Sequence, residues 1–110
     1  AALTELGGGD PETVSHAAAL AIKNLLGLVC DPVAGLVEVP CVKRNGFAAV
    51  HAMLAADMAL AGVRSVIPAD EVIEAMERIG RALPRTLKET AEGGLAMTTT
   101  AQKITQKLYG

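Results

Sequence analysis

A chain of 110 residues has room for one domain at most, and a domain of that size buries only about 60 to 65% of the surface of its unfolded chain. The net charge is −2 and no cluster of Lys and Arg is interleaved with aromatic residues, which excludes nucleic acid as a partner. No apolar stretch reaches the ~18 to 20 residues that span a bilayer, and no signal peptide is present, so we exclude a membrane segment and expect a cytoplasmic protein.

The composition favours an all-α fold. Half of the residues are apolar, but they are mostly Ala, Leu and Val, with one Phe, one Tyr and no Trp. Small apolar side chains suit helices that pack closely rather than a bulky aromatic core. We therefore expect a compact bundle of five to six helices with one long loop flanked by cysteines. Residues 1–6 resemble the end of a helix without an initiator Met or a capping residue, so we also expect a fragment of a longer protein.

The first long helix is predicted over residues 11 to about 26. The glycines at 7–9 separate it from the preceding helix, Asp10 is a suitable N-cap, Pro11 suits the first helical position and Gly27 suits the end. Near-helical spacing of apolar residues predicts a core face formed by Val14, Ala18, Ala21, Leu25 and Leu28.

A second long helix is predicted over residues 42–61, ended by Gly62. Alanine on its other faces predicts burial nearly all round. His16 and His51 lie on these two Ala-rich helices, and we interpret both as structural residues outside the site. The predicted core face of the second helix consists of Phe47, Val50, Leu54, Met58 and Ala61.

The remaining elements are short. In chain order they are an extended connector at 63–67, an amphipathic helix at 69–79 ended by Gly80, a short helical turn from Pro84 to about residue 91, and a terminal helix at 101–108 that Thr98 to Thr100 cap. Two interpretations fit Gly93 and Gly94: a helix break before that cap, or a close approach of backbone amides to an anion.

The two cysteines, Cys30 and Cys41, frame the long loop and are the best candidates for chemistry. Cytoplasmic thiols stay reduced, which disfavours a disulfide. Ten residues separate the two thiols and no matching His pair is present, so structural zinc fits poorly. An iron–sulfur cluster tolerates that spacing, but it needs about three or four ligands, so another must come from elsewhere. Inert buried thiols are the alternative.

Cationic residues follow the second cysteine, at the predicted start of a helix. Lys43 and Arg44 are unfavourable there unless an anion faces them, either a thiolate-bound cluster or a substrate carboxylate, although solvent exposure is the simpler alternative. The helix dipole at this end favours a thiolate at Cys41. Two interpretations fit the Glu38 carboxylate inside the loop: exposure to solvent, or pairing with Lys43 or Arg44, which we favour. Asp31 precedes Pro32 and is interpreted as a turn former.

These segments together resemble the iron–sulfur-dependent L-serine dehydratases, specifically the C-terminal part of their α chain. The resemblance covers essentially the whole chain and is carried by residues 28–41, 43–45, 55–60 and 89–96.

The resemblance implies an activity and a cofactor. The family converts L-serine to pyruvate and ammonia, as a carbon–nitrogen lyase, with an oxygen-sensitive 4Fe–4S cluster and no pyridoxal phosphate. Three cysteines hold the cluster, of which two correspond to Cys30 and Cys41, and the third belongs to an upstream Gly-Gly-Cys segment absent from these residues. The iron without a protein ligand acts as a Lewis acid on the serine hydroxyl. Lys43 or Arg44 would bind the substrate carboxylate, and Asn45 would orient the substrate or cap the helix.

The resemblance also implies partners. Residues 103–110 lack a terminal cysteine, as in the two-subunit type of the enzyme, in which a separate β chain joins the α chain. Residues 1–110 are therefore expected to be a C-terminal fragment of the cluster-binding catalytic domain, inactive without the N-terminal part of the α chain and prone to self-association. Gly46 departs from the family pattern, which has Ala. The alternative is a non-catalytic helical interaction module with structural cysteines.

Overall fold

The computed structural model describes residues 1–110 and contains five α-helices and no β-sheet. The all-α prediction is therefore confirmed. No helix combines the length and the apolar character needed to cross a membrane. The helices are α1 (Ala2–Leu6), α2 (Pro11–Lys23), α3 (Cys41–Leu60), α4 (Ala69–Ala82) and α5 (Thr99–Tyr109), and three short 3₁₀ helices lie at Val33–Gly35, Arg85–Leu87 and Gly94–Met97.

The chain divides into two compact units, each made of two stretches of sequence. The first unit comprises Ala1–Gly27 and Ala48–Arg81, and the second comprises Leu28–Phe47 and Ala82–Gly110. All of the candidate site residues lie in the second unit.

The helix termini follow local capping chemistry. The Asp10 carboxylate accepts a hydrogen bond from the Thr13 amide at 2.8 Å, and Pro11 is the first residue of α2, as predicted. The Thr98 hydroxyl likewise accepts from the Ala101 amide at 3.3 Å and caps α5. Side chains within three residues of the helix start therefore determine where α2 and α5 begin.

Two helix ends differ from the prediction by about three residues. The α-helical part of α2 stops at Lys23, and hydrogen-bonded turns rather than helix continue to Gly27. In contrast, α4 passes through Gly80 and ends at Ala82. The end of α4 falls just before Pro84, since the residue preceding a proline is disfavoured in helical conformation. The predicted turn after Pro84 is also shorter, a single 3₁₀ turn at Arg85–Leu87.

The core of the first unit consists of small residues on two helices. Ala17 and Leu20 of α2 pack with Ala55 and Ala59 of α3. The predicted core face of α3 is wrong, because its large apolar residues are exposed: Phe47 79%, Val50 64%, Leu54 56%, Met58 36%. The alanine face of α3 is buried instead, and small side chains let two helix backbones approach closely.

Both histidines of the first unit have structural partners. His16 Nδ1 accepts a hydrogen bond from the Ser65 amide at 3.1 Å, and its side chain also contacts Glu12 and Arg64, which form an ion pair. His51 Nε2 lies 2.9 Å from the Ala21 carbonyl oxygen. Residues 63–67, where Ser65 lies, form no strand, as predicted, and the last two of them form a bend.

The second unit is built around α5. This helix packs against the 3₁₀ turns Val33–Gly35 and Gly94–Met97. The Tyr109 hydroxyl donates to the Ala34 carbonyl oxygen at 3.3 Å. The 3₁₀ turn at Val33–Gly35 lies within the cysteine-flanked loop, so α5 supports the loop directly.

Candidate functional site

The loop between the two cysteines is folded back on itself. The Val33 amide donates to the Val39 carbonyl oxygen at 2.9 Å, and the Val42 amide donates to the Val37 carbonyl oxygen at 2.9 Å. These two bonds join the ends of the loop and bring Cys30 and Cys41 together, although ten residues separate them in sequence.

Cys30 and Cys41 are free, partly buried thiols close enough to form a side-chain hydrogen bond with each other. Burial raises the pKa of the Cys30 thiol, and the neighbouring Cys41 and Glu89 raise it further by charge repulsion. Cys30 is therefore protonated at neutral pH. A metal that binds its sulfur must displace that proton, because the thiolate is the ligand.

The main chain of Cys30 is held on both sides by the segment after Pro84. The Cys30 amide donates to the Leu87 carbonyl oxygen at 3.0 Å, and the Cys30 carbonyl oxygen accepts from the Glu89 amide at 2.8 Å. This pairing forms an isolated parallel bridge with Lys88. It also explains why the predicted helical turn after Pro84 is short, since residues 88 and 89 pair with Cys30 instead. Cys41 is the first residue of α3, which begins one residue before the predicted start.

Asp31, next to Cys30, is the polar centre of the site. Its side chain is 2% exposed. One carboxylate oxygen, Oδ1, accepts from Arg44 Nη1 at 2.6 Å, and the other, Oδ2, accepts from the Leu95 amide at 2.6 Å. Burial raises the pKa of the Asp31 carboxyl, but these two interactions outweigh it and hold the pKa below its ordinary value. The carboxylate is therefore ionised at neutral pH.

The interpretation of Asp31 as a simple turn former missed this role. The available signal was the unexplained cation at Arg44, which required a buried anion nearby. Arg44 Nη1 donates both to Asp31 and to the Val29 carbonyl oxygen, the latter at 2.9 Å. An anion therefore does face Arg44, but it is the Asp31 carboxylate rather than the cluster or the substrate carboxylate that we expected.

The expected pairing of the Glu38 carboxylate with Lys43 or Arg44 is wrong. Lys43 Nζ donates to the backbone carbonyl oxygen of Glu38 at 2.8 Å, and Arg44 pairs with Asp31. The Glu38 side chain is exposed, because the loop turns it outward while its main chain faces α3. Asn45 is exposed in the second turn of α3 and does not cap that helix. The roles of Lys43, Arg44 and Asn45 toward a substrate stay predictions.

The structure agrees in part with each of the two interpretations of Gly93 and Gly94. Gly93 precedes the 3₁₀ turn, and Thr98 caps the helix after it. In addition, Gly94 has a positive φ of 56° and lets the Leu95 amide reach an anion, which is the Asp31 carboxylate. Glycine is suited to residue 94 because it has no side chain to prevent this close approach of the backbone to Asp31.

The donor set fits part of an iron–sulfur site. Thiolates are the usual protein ligands of such clusters, and Cys30 and Cys41 present two of them at one place. No group of three or more His, Cys, Asp or Glu side chains in the chain is placed to hold a metal ion. These residues therefore supply ligands for at most two irons of a cluster.

The fold and the site define an all-α protein with a pair of adjacent thiols beside an ion pair whose carboxylate is buried. The chain belongs to the serine dehydratase alpha chain family, whose family model matches residues 1–96. No solved structure matches it.

Named relatives agree with this family. The chain is 59% identical over 110 residues to a "Probable L-serine dehydratase, alpha chain" from Bacillus subtilis (strain 168), and 59% identical over 110 residues to a protein of the same name from Latilactobacillus sakei. It is 52% identical over 104 residues to the "L-serine dehydratase, alpha chain" of Peptoniphilus asaccharolyticus. These alignments cover 100%, 100% and 94% of the chain but only 37%, 53% and 36% of the three relatives.

Proposed function

We propose that residues 1–110 are the C-terminal, cluster-binding part of the α chain of an L-serine dehydratase, which eliminates water from L-serine and yields pyruvate and ammonia. The observation that carries the proposal is the adjacency of Cys30 and Cys41 in a chain of this family. The family membership supports the reaction, and the thiol pair supports the cofactor. A cytoplasmic location accords with reduced thiols.

The proposed cofactor is a 4Fe–4S cluster, without pyridoxal phosphate. Cys30 and Cys41 would bind two of its irons, and a cysteine from the N-terminal part of the α chain would bind a third. When bound, a cluster with one iron free of protein ligands supplies a Lewis acid for the departing hydroxyl group. Burial raises the pKa of the Cys30 thiol, which must lose its proton to bind iron.

Lys43 is the better placed of the two cations for the substrate carboxylate. Its ammonium group is exposed and has three donors, of which one binds the Glu38 carbonyl oxygen. Arg44 is partly buried, and its Nη1 is occupied by Asp31 and Val29. A cation at the carboxylate stabilises the negative charge that develops when the α-proton leaves. The exposed amide of Asn45, two residues after Lys43 in α3, would orient the substrate.

The test uses the complete α chain that carries these residues, expressed with its β chain and reconstituted anaerobically with iron and sulfide. Cys30→Ala and Cys41→Ala should each lose the visible absorption of the cluster and the formation of pyruvate. Lys43→Ala should keep the absorption and raise KM for L-serine at least about tenfold, a loss of roughly 1.4 kcal/mol in binding. Lys103→Ala, an exposed lysine of α5, is the matched control. Full turnover in both cysteine variants would contradict the proposal.

A second candidate function is a helical interaction module, and the exposed face of α3 favours it. Phe47, Val50 and Leu54 are each more than half exposed. Contiguous apolar surface of this kind marks interaction sites. On this hypothesis the cysteines are structural, and their replacement by Ala leaves any activity of the assembled enzyme unchanged.

The exposed face also bears on the partners. We propose that the remaining part of the α chain or the β chain covers it in the assembled enzyme, and that the isolated 110 residues are inactive and self-associate through it. Sedimentation of the isolated chain should show association that Phe47→Ser weakens, whereas Thr105→Ser on α5 leaves it unchanged. A monomeric wild-type chain at all concentrations would exclude self-association.

A further inference from the structure

We propose that Asp31 is a positioning residue for the two thiols: its carboxylate fixes the residue beside Cys30 to the first turn of α3, which carries Cys41. The relevance of this clamp to a metal rests on the function proposed above. The effect of the clamp on the distance between the two sulfur atoms does not depend on that function, and this distance can be measured without iron.

The two partners of the clamp, Asp31 and Arg44, each lie close in sequence to one of the two cysteines. Asp31 directly follows Cys30, and Arg44 lies three residues after Cys41, one turn along the same side of α3. A helix of this length is rigid over one turn, so the placement of Arg44 determines the placement of Cys41. The contact of 2.6 Å between Asp31 Oδ1 and Arg44 Nη1 therefore couples the two cysteines.

The main-chain bonds of Cys30 do not link it to α3, because they go to Leu87 and Glu89, outside the loop. Arg44 provides side-chain hydrogen bonds that join the segment at 29–31 to α3, one to the Val29 carbonyl oxygen and one to Asp31. Without Arg44, the main-chain bonds within the loop and the hydrogen bond between the thiols themselves would remain to hold the two cysteines together.

A third segment locks the carboxylate in place. Asp31 Oδ2 accepts from the Leu95 amide at 2.6 Å, so both oxygens are engaged and the side chain has little freedom to rotate. Because Asp31 is almost completely buried, loss of its charge would leave Arg44 facing a site without an anion. Removing the buried carboxylate from this ion pair is therefore expected to lower the stability of the site.

The experiment measures the distance between the thiols through dibromobimane, which becomes strongly fluorescent when it alkylates two nearby thiols. The complete α chain is used free of metal under anaerobic conditions, and peptide mapping identifies the Cys30–Cys41 crosslink. The rate of crosslinking is divided by the rate at which monobromobimane labels the same cysteines, which cancels changes in thiol reactivity.

In Asp31→Asn this ratio should fall at least about tenfold, because one of the two acceptor oxygens that bind Arg44 and the Leu95 amide becomes an NH₂ donor and the charge that holds Arg44 is lost. Arg44→Lys keeps the charge but changes the length and shape of the side chain whose Nη1 reaches both Val29 and Asp31, so its ratio should fall less. Glu74→Gln is the matched control, because it removes the carboxylate of an exposed ion pair with Arg78.

Circular dichroism verifies that each variant is folded. If Asp31→Asn is unfolded, Arg44→Lys carries the test. An unchanged ratio in whichever of these variants is folded would overturn the positioning role. If the wild-type chain crosslinks quickly and the folded Asp31→Asn slowly, but no iron binds to the reconstituted enzyme, the clamp stands and the proposed function fails.

Discussion

The backbone of Gly94 lies directly against the Asp31 carboxylate. A Cβ atom at residue 94 would be 2.2 Å from Asp31 Oδ2 and 2.8 Å from Asp31 Cβ. These distances are far below van der Waals contact, and the atoms concerned belong to a short, buried side chain that has no room to move. The absence of a side chain at residue 94 is therefore a condition for the hydrogen bond from Leu95 to Asp31.

Gly94→Ala should destabilise the chain by about 3 kcal/mol or more, because the new methyl group collides with Asp31 and residue 94 also has a positive φ. Urea unfolding followed by circular dichroism measures the loss. Gly62→Ala separates the two causes, since Gly62 has a positive φ of 93° but an added Cβ would meet no atom within 4 Å. The Gly62 variant should lose only about 1 to 2 kcal/mol. Equal losses in both variants would show that the contact with Asp31 is not decisive.

Gly46→Ala should stabilise the chain by about 0.5 to 1 kcal/mol, because Gly46 lies inside α3 and a Cβ there meets no atom within 4 Å. Alanine lowers the conformational entropy of the unfolded chain and causes no collision in the folded one. The midpoint of thermal unfolding measures the gain. Gly80→Ala in α4 is a control of the same kind, with open space at its Cβ position. A loss of stability at residue 46 alone would mean that the start of α3 requires glycine.

His16→Ala should cost about 1 to 3 kcal/mol, since the amide of Ser65, a residue only 5% exposed, loses its acceptor. His16→Asn should lose less, because the side-chain oxygen of Asn can accept from that amide in place of Nδ1. Chemical denaturation of the three proteins gives the difference. Ser15→Ala, exposed on the same helix, serves as the control. If Asn and Ala at residue 16 are equally destabilising, the hydrogen bond to Ser65 does not contribute.

Asp10 should make the stability of the first unit depend on acid pH. The hydrogen bond from the Thr13 amide lowers the pKa of the Asp10 carboxyl. A carboxyl whose pKa is lower in the folded state contributes stability that is fully present above the unfolded pKa and is lost as the pH falls through the folded pKa.

Asp10→Asn tests this dependence, because Asn caps helices about as well as Asp but does not titrate in this range. The variant should match the wild type near neutral pH if the cap geometry dominates, and should lose less stability in acid. Urea midpoints measured from neutral pH down to below the carboxyl pKa provide the comparison. Parallel curves for the two proteins would rule out a contribution from Asp10.

The helices were predictable because their signals are local. Asp10 and Pro11 at the start of α2, and Thr98 at the start of α5, act within one turn, and the boundaries of α3 differ from the prediction by one residue at each end. The end of α4 was not predictable from Gly80 alone. A glycine with helical dihedral angles continues a helix, and only the following proline stops it.

The site was less predictable because its contacts join distant parts of the sequence. Asp31 binds the amide of a residue 64 positions away, and Cys30 bridges to Lys88. Periodicity and spacing carry no information about such pairs, whereas residue type does: the cation at Arg44 correctly required a nearby anion. The buried face of α3 was mispredicted for a similar reason, since the size of a side chain does not say which neighbour is available to cover it.

The attachment of Cys30 to its neighbours uses the peptide groups on either side of its sulfur-bearing carbon. Since any amino acid other than proline offers the same amide and carbonyl, these two bonds do not depend on what projects from residue 30. Sulfur can therefore be exchanged here for oxygen or selenium while the main-chain attachment is retained.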